Sequence, residues 1–277
     1  MKSVAFQGER GAYSETASKV IFGNKIFTSP SFSFEDVFKK VKNGSVDYGV
    51  VPIENSLYGI VFETYDLLLK YSLTIVGELH LQINHHLLAI KNYKLSEIKK
   101  VYSHPQALGQ CSEFLKTLKK TEIIPAYDTA GSALILRESK SDATAAIASK
   151  DAAKIYNLKI LKSDIQNNKE NFTRFLAISK NKIQKNFAQP KTSICFELKS
   201  IPGALFKALS VFALRDIDLL KIESRPIPHK PFQYMFYTDL FGSLDDEKVK
   251  LAINHLDEIS LSIKKFGTYE AGKTYKS

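Results

Sequence analysis

Apolar and polar positions along the first half of the chain fall into a repeating order of strand, helix and strand. Lys2 to Phe6 reads as a strand, and Gly8-Glu9-Arg10-Gly11 breaks it before a helical stretch from Ser14 to Phe22. A short strand at Lys25 to Thr28 follows. Phe34, Val37, Phe38 and Val41 then recur at helical spacing up to Asn43-Gly44, and Tyr48 to Pro52 reads as a buried strand. Leu67 to Leu69 end another helix. Leu73 to Ile90 carries two strand-like runs around Gln82-Ile83-Asn84, after which the alternation restarts. It predicts strands at Ile98 to Tyr102, Ile123 to Tyr127 and Ala145 to Ala148, with helices at Ser103 to Leu118, Thr129 to Arg137 and Ser149 to Tyr156. Such alternation predicts parallel α/β sheets. The break near 73–90 divides the units into two lobes, and the chain must cross back near 160–175.

Beyond Ile178 the pattern changes. Lys180 to Lys191 is mostly polar, contains Pro190 and reads as a linker. A compact unit follows: strand Thr192 to Leu198, helix Pro202 to Leu214, strands Asp218 to Glu223 and Tyr234 to Leu240, helix Asp245 to Leu256, and strand Ile259 to Phe266. This βαββαβ order is the ferredoxin-like motif. Ala271 to Ser277 reads as a frayed tail.

Composition narrows the class. At 277 residues, 44% of them hydrophobic, the chain can bury a sizeable core and has room for roughly two domains. No stretch has the ~20 apolar residues that span a bilayer, and the N-terminus does not resemble a signal peptide, so an intracellular, cytoplasmic protein is expected. The net charge of +10 would suit an anionic partner. Only five of the 39 basic residues are arginines, however, and the lysines are scattered, which is not the footprint of a nucleic-acid reader. Cys111 and Cys195 lie far apart and support neither a disulfide framework nor a zinc site.

Candidate chemistry gathers where strands end. Small polar clusters open the next segment at Gly11 to Ser14, Asn55-Ser56, Ser103-His104, Asp128-Thr129 and Ser149, and in open α/β sheets ligands bind beyond the strand C-termini. Ser14, Thr129, Asn55 and Ser56 could hold carboxylates or simply cap helices. Ser103-His104-Pro105-Gln106 has capping-box spacing, which makes His104 look structural. His85 and His86 would face opposite ways on a strand and cannot share a metal. In Asn171-Phe172-Thr173-Arg174-Phe175 an extended backbone puts Thr173 and Phe175 on one face and Arg174 on the other. Glu54 is a general acid if its pKa is raised and a repulsive charge if it is not.

Gly8 to Glu15, Val51 to Ser56, Ser103 to Leu108, Asp128-Thr129-Ala130 and Asn171 to Phe175 together resemble the ordered motif set of prephenate dehydratase. Pro202-Gly203-Ala204-Leu205 and Glu223-Ser224-Arg225-Pro226 resemble its ACT regulatory domain. The resemblance implies a two-lobed, periplasmic-binding-protein-like catalytic domain over 1–180, a linker over 181–191 and a ferredoxin-like ACT domain over 192–270. It implies decarboxylating dehydration of prephenate to phenylpyruvate in phenylalanine biosynthesis, with no metal, nucleotide or redox cofactor. Arogenate dehydratase is the close rival activity. A non-catalytic sensor would share the two lobes but would need an output unit that the sequence does not show. With no chorismate mutase segment in front, a monofunctional enzyme is expected. The resemblance makes Thr173, Arg174 and Phe175 catalytic, with Thr173 hydrogen-bonding the leaving hydroxyl. It makes Ser14, Asn55, Ser56, Ser103, His104, Gln106, Thr129 and Asn171 substrate-binding. Gly203, Ala204, Leu205, Glu223, Ser224, Arg225 and Pro226 become the site of the effector L-phenylalanine, across a homodimer or homotetramer with no nucleic acid or membrane partner.

Overall fold

The structure is a computed structural model that describes residues 1–139, 142–183, 186–227, 230 and 233–276. The chain forms two compact units. The first comprises 1–67, 79–177 and the segment from Lys273 on; the second comprises 68–78 and 178–272.

The chain opens with β1 (Lys2–Gln7), α1 (Tyr13–Phe22), β2 (Ile26–Ser31), α2 (Phe34–Lys42), β3 (Tyr48–Asn55), β4 (Gly59–Ile60), α3 (Phe62–Tyr71) and β5 (Thr74–Gln82). The periodicity of α2 was plain because its N-terminus is fully specified. Ser33 accepts from the Asp36 N–H while the Asp36 carboxylate takes the Ser33 N–H. Next come β6 (His86–Ala89), a 3₁₀ turn at Leu95–Glu97, β7 (Lys100–Ser103), α4 (Pro105–Gln110), α5 (Ser112–Lys116), β8 (Glu122–Pro125), α6 (Thr129–Ser139), β9 (Thr144–Ala148), α7 (Lys150–Ile155), β10 (Lys159–Lys162) and β11 (Phe172–Ser179). The helix expected from Ser103 to Leu118 is therefore two, broken at Cys111, whose ψ of 15° departs from the helical range.

Two sheets result, one for each lobe. The first runs β2, β1, β3, β11, β5 and the C-terminal strand β16 (Lys273–Tyr275); the second runs β10, β6, β9, β7 and β8. β1 pairs in parallel with both β2 and β3, and β7 with both β8 and β9, as the strand–helix alternation requires. Phe6 and Ala12 from the first lobe share one apolar cluster with Leu88, Ala146, Ala148, Ala152 and Ala130 from the second. The contact is close because its residues are small. A Cβ on Gly11 would lie 2.6 Å from the Ala152 Cα, and the Ser149 hydroxyl donates to the Gly11 carbonyl at 2.6 Å.

The second unit holds β12 (Pro190–Leu198), α8 (Ala204–Ala213), β13 (Leu219–Pro226), β14 (Tyr234–Phe241), α9 (Glu247–Ile259) and β15 (Ser260–Glu270). Its sheet order, β13-β14-β12-β15, is that of a ferredoxin-like fold. The helices bury Phe212, Val211, Ile253 and Leu256 with Phe196 and Leu240 of the sheet. Lys191 lies 2.9 Å from the buried Glu78 carboxylate and 3.7 Å from Asp239. Two of the residues read as linker, Gln184 and Lys185, lie outside the described residues, and Pro190 and Lys191 belong to β12.

The tail is not frayed at its centre. Lys273–Tyr275 form β16, parallel to Leu79–Leu81 of β5. All three residues are exposed, so their place rests on backbone pairing and leaves no trace in the hydrophobic pattern.

Candidate active site

A cleft of about 410 Å³ opens within the first unit, beyond the C-terminal ends of the strands. From the first lobe it is lined by Ala12, Tyr13 and Ser14 at the start of α1, Asn55 at the end of β3, and Thr173 and Phe175 on β11. From the other side come His85, His104, Gln106 and Gln110, then Tyr127, Asp128 and Thr129.

The β11 alternation appears as the pleat dictates. Thr173 and Phe175 line the cleft, whereas Arg174 is not a lining residue. Arg174 is buried, and its Nη1 lies 3.8 Å from the Glu54 Oε2, on a side chain that does not line the cleft either.

Asn55 is oriented without ambiguity. Its Oδ1 accepts the N–H groups of Leu57 and Tyr58, an Asx turn that forces its amide nitrogen towards β11. That nitrogen donates to Thr173 Oγ1 at 2.9 Å and to Asn171 Oδ1 at 2.8 Å. Thr173 therefore receives a hydrogen bond, and its own O–H has no acceptor among the described residues.

Three expected binding residues, and Arg174 of the expected catalytic ones, do not line the cleft. Ser103 is fully buried, donates to the Ile147 carbonyl and ties β7 to β9; it is not a helix cap, because His104 is. Ser56 donates to the Glu170 carbonyl and accepts from the Phe172 N–H. Asn171 is buried beneath Asn55, and Arg174 faces away. The capping expectations for Ser14 and Thr129 also fail. α1 begins at Tyr13 with Ala12 as its N-cap, and the N-terminus of α6 is closed by Asp128, which accepts from the Ala130, Gly131 and Glu9 N–H groups. His104 accepts from the Gln106 N–H on Nδ1, so a neutral ring carries its proton on Nε2.

Tyr13, His85, Gln110 and Asp128 were not singled out as site residues from sequence, because tertiary structure brings them together. The Tyr13 hydroxyl donates to the Asn84 carbonyl at 2.7 Å and lies 3.1 Å from His85 Nδ1. His85 Nε2 is 2.6 Å from Gln110 Oε1. Burial lowers the His85 pKa to about 4 against a smaller upward pull from Gln110, so the ring is neutral and donates to Gln110 through Nε2. Burial also raises the Tyr13 pKa well above its usual value, and that of Cys111 to about 12.

This burial fixes a pH dependence. Between about pH 4 and 6.5 the unfolded chain binds a proton at residue 85 that the folded chain refuses, so stability rises with pH across that window and is flat above it. Denaturation at pH 4.5 should give an unfolding free energy about 2 to 3 kcal/mol below that at pH 7 from this group alone. His85→Gln should flatten the slope, and an unchanged slope would exclude His85 as its source.

The family model described as prephenate dehydratase matches residues 4–183, and the model described as ACT domain matches 192–257. The chain belongs to the prephenate dehydratase family. It is 42% identical over 283 residues to arogenate dehydratase/prephenate dehydratase 2, chloroplastic, of Arabidopsis thaliana, covering 98% of this chain and 73% of that one. The crystal structure of prephenate dehydratase in complex with L-Phe from Arthrobacter aurescens is similar at TM-score 0.87 and 30% identity, over 97% of this chain and 90% of the other. A protein described as GqqA, a novel type of quorum quenching acylase, is similar at TM-score 0.89 and 28% identity, over 98% of each chain. The two-lobed dehydratase unit is therefore followed by an ACT domain, and the enzyme is a decarboxylating carbon–oxygen lyase. Among the described residues no helix is long and apolar enough to cross a membrane.

Proposed function

We propose that the enzyme converts prephenate to phenylpyruvate, with Thr173 assisting departure of the ring hydroxyl. Carbon dioxide leaves without its bonding electrons, these complete the aromatic ring, and hydroxide departs from the opposite ring carbon to be protonated to water. Aromatisation drives the step, so the protein has chiefly to hold the pose and stabilise the leaving oxygen. The carrying observation is the Asn55 amide, which donates to Thr173 Oγ1 and leaves the threonine O–H to point at a ligand. A threonine hydroxyl is a weak acid, so it polarises by hydrogen bonding. Phe175, Gln106, His104 and Thr129 line the same space and shape the pocket. Arg174 is a positioning residue beside Glu54.

Regulation by phenylalanine belongs to the ACT unit. Gly203 caps α8 with φ +75°, Ala204 opens that helix and Leu205 is partly exposed. Glu223, Ser224, Arg225 and Pro226 end β13, which is an edge strand. An edge strand with exposed Leu220 and Ile222 suits pairing with a second copy, which fits an oligomeric enzyme with shared effector sites.

The test measures product from prephenate and from arogenate side by side, with and without phenylalanine. Turnover of prephenate that phenylalanine changes supports the reading. Turnover of arogenate alone moves the substrate to the amino analogue named for the Arabidopsis relative. Turnover of neither overturns the reading, and an N-acyl amide is the next substrate to try.

A further inference from the structure

Helices α1, α2 and α6 each place a first-turn residue in the cleft, and the N-termini of α2 and α6 are already closed. α2 is sealed by the Ser33 and Asp36 box, and α6 by the Asp128 carboxylate. α1 differs, because Ala12 at its N-cap has no side chain able to accept. The Gly11 N–H goes to Glu15 Oε2, and the Ala12 N–H to the Glu9 carbonyl. Among the described residues the N–H groups of Tyr13 and Ser14 have no partner, and both residues line the cleft. Ser14 is only 7% exposed, yet its hydroxyl also has no partner among the described residues. The nearby Glu15 charge is matched by Lys19 at 3.0 Å.

We infer that the first turn of α1 is a carboxylate subsite, formed by the Tyr13 and Ser14 N–H groups and the Ser14 hydroxyl at the positive end of the helix. The inference rests on the dehydratase reading and goes further, because it assigns which carboxylate binds there. Donors stabilise a carboxylate's localised charge, and a departing carboxylate must lose that charge in the transition state. Strong donors on the ring carboxylate would therefore slow the reaction. The α1 subsite takes the side-chain carboxylate that survives into product, a group that prephenate and arogenate share, and Thr173 then faces the hydroxyl end.

The probes are phenylpyruvate, which retains this carboxylate, and phenylacetone, which carries a methyl group in its place. Ser14→Ala should weaken phenylpyruvate binding by about 10-fold, and Ser14→Asp, which places a like charge on the subsite, by about 100-fold or more. Phenylacetone binding should stay within about 2-fold in both variants. Should Ser14→Asp fail to fold, Ser14→Ala carries the test alone. Unchanged phenylpyruvate affinity overturns the subsite, and so does an equal loss for both probes, which would report a distorted cleft. Failure of the dehydratase reading is separate, since it would appear as no turnover by the unaltered enzyme.

Discussion

Thr173→Ala should lower kcat by about 10²- to 10⁴-fold, the range for a positioned proton or hydrogen-bond donor, with little change in thermal stability. The reason is local. Asn55 supplies the hydrogen bond that Thr173 accepts, so the mutation removes a cleft hydroxyl whose proton has no acceptor among the described residues, and deletes a single side-chain hydrogen bond. Thr173→Ser keeps the donor and should recover much of the rate. Asn55→Ala should also be slow, because the threonine hydroxyl would lose its orientation. Near-normal kcat in Thr173→Ala, measured with stopped product assays at saturating substrate, would remove Thr173 from the chemistry.

Gly11→Ala should be the most damaging small substitution in the first unit. Gly11 has φ +88°, and a Cβ there would meet Ala152 backbone atoms at 2.6 and 2.9 Å. The atoms it meets are the backbone and Cβ of Ala152, which have no rotatable side chain to swing aside. Strain and overpacking together should cost about 2 to 4 kcal/mol in urea denaturation. Activity should fall as well, since the contact joins the two lobes that line the cleft. Gly23→Ala is the control. Its φ of +86° is nearly the same, but nothing lies within 4 Å of the added Cβ, so only backbone strain of about 1 to 3 kcal/mol is expected, without the overpacking. Equal losses in the two variants would show that packing against α7 contributes nothing.

The sequence was most legible where an element announces itself through its own residues. Each helix and strand of the ferredoxin-like unit lies within a few residues of its expected place, because amphipathic spacing and burial coincide there. β16 and β10 escaped notice because few of their side chains are buried and pairing is carried by the backbone. The capping residues were misread by one position at two helices. Ser103 and Thr129 have the right chemistry, but His104 and Asp128 occupy the caps, and a shift of one residue turns a side chain from the helix end into a sheet or the cleft. The alternation of Thr173 and Arg174 was readable from the pleat alone. The Tyr13, His85 and Gln110 chain was not, since its members are 72 and 25 residues apart and meet only when the lobes assemble.

The Asn55 turn also bears on how the enzyme ages. Asparagine followed by serine is prone to deamidation, in which the next residue's backbone nitrogen attacks the side-chain amide. Here the Ser56 nitrogen donates to the Phe172 carbonyl at 2.8 Å, and the Asn55 oxygen is pinned by two N–H groups. Both attacking and attacked atoms are thus held in place. Conversion to aspartate would replace the donor beside Thr173 with a carboxylate oxygen, which would draw the threonine proton away from the ligand. The lattice of bonds that orients the hydroxyl also protects it from slow chemical inactivation.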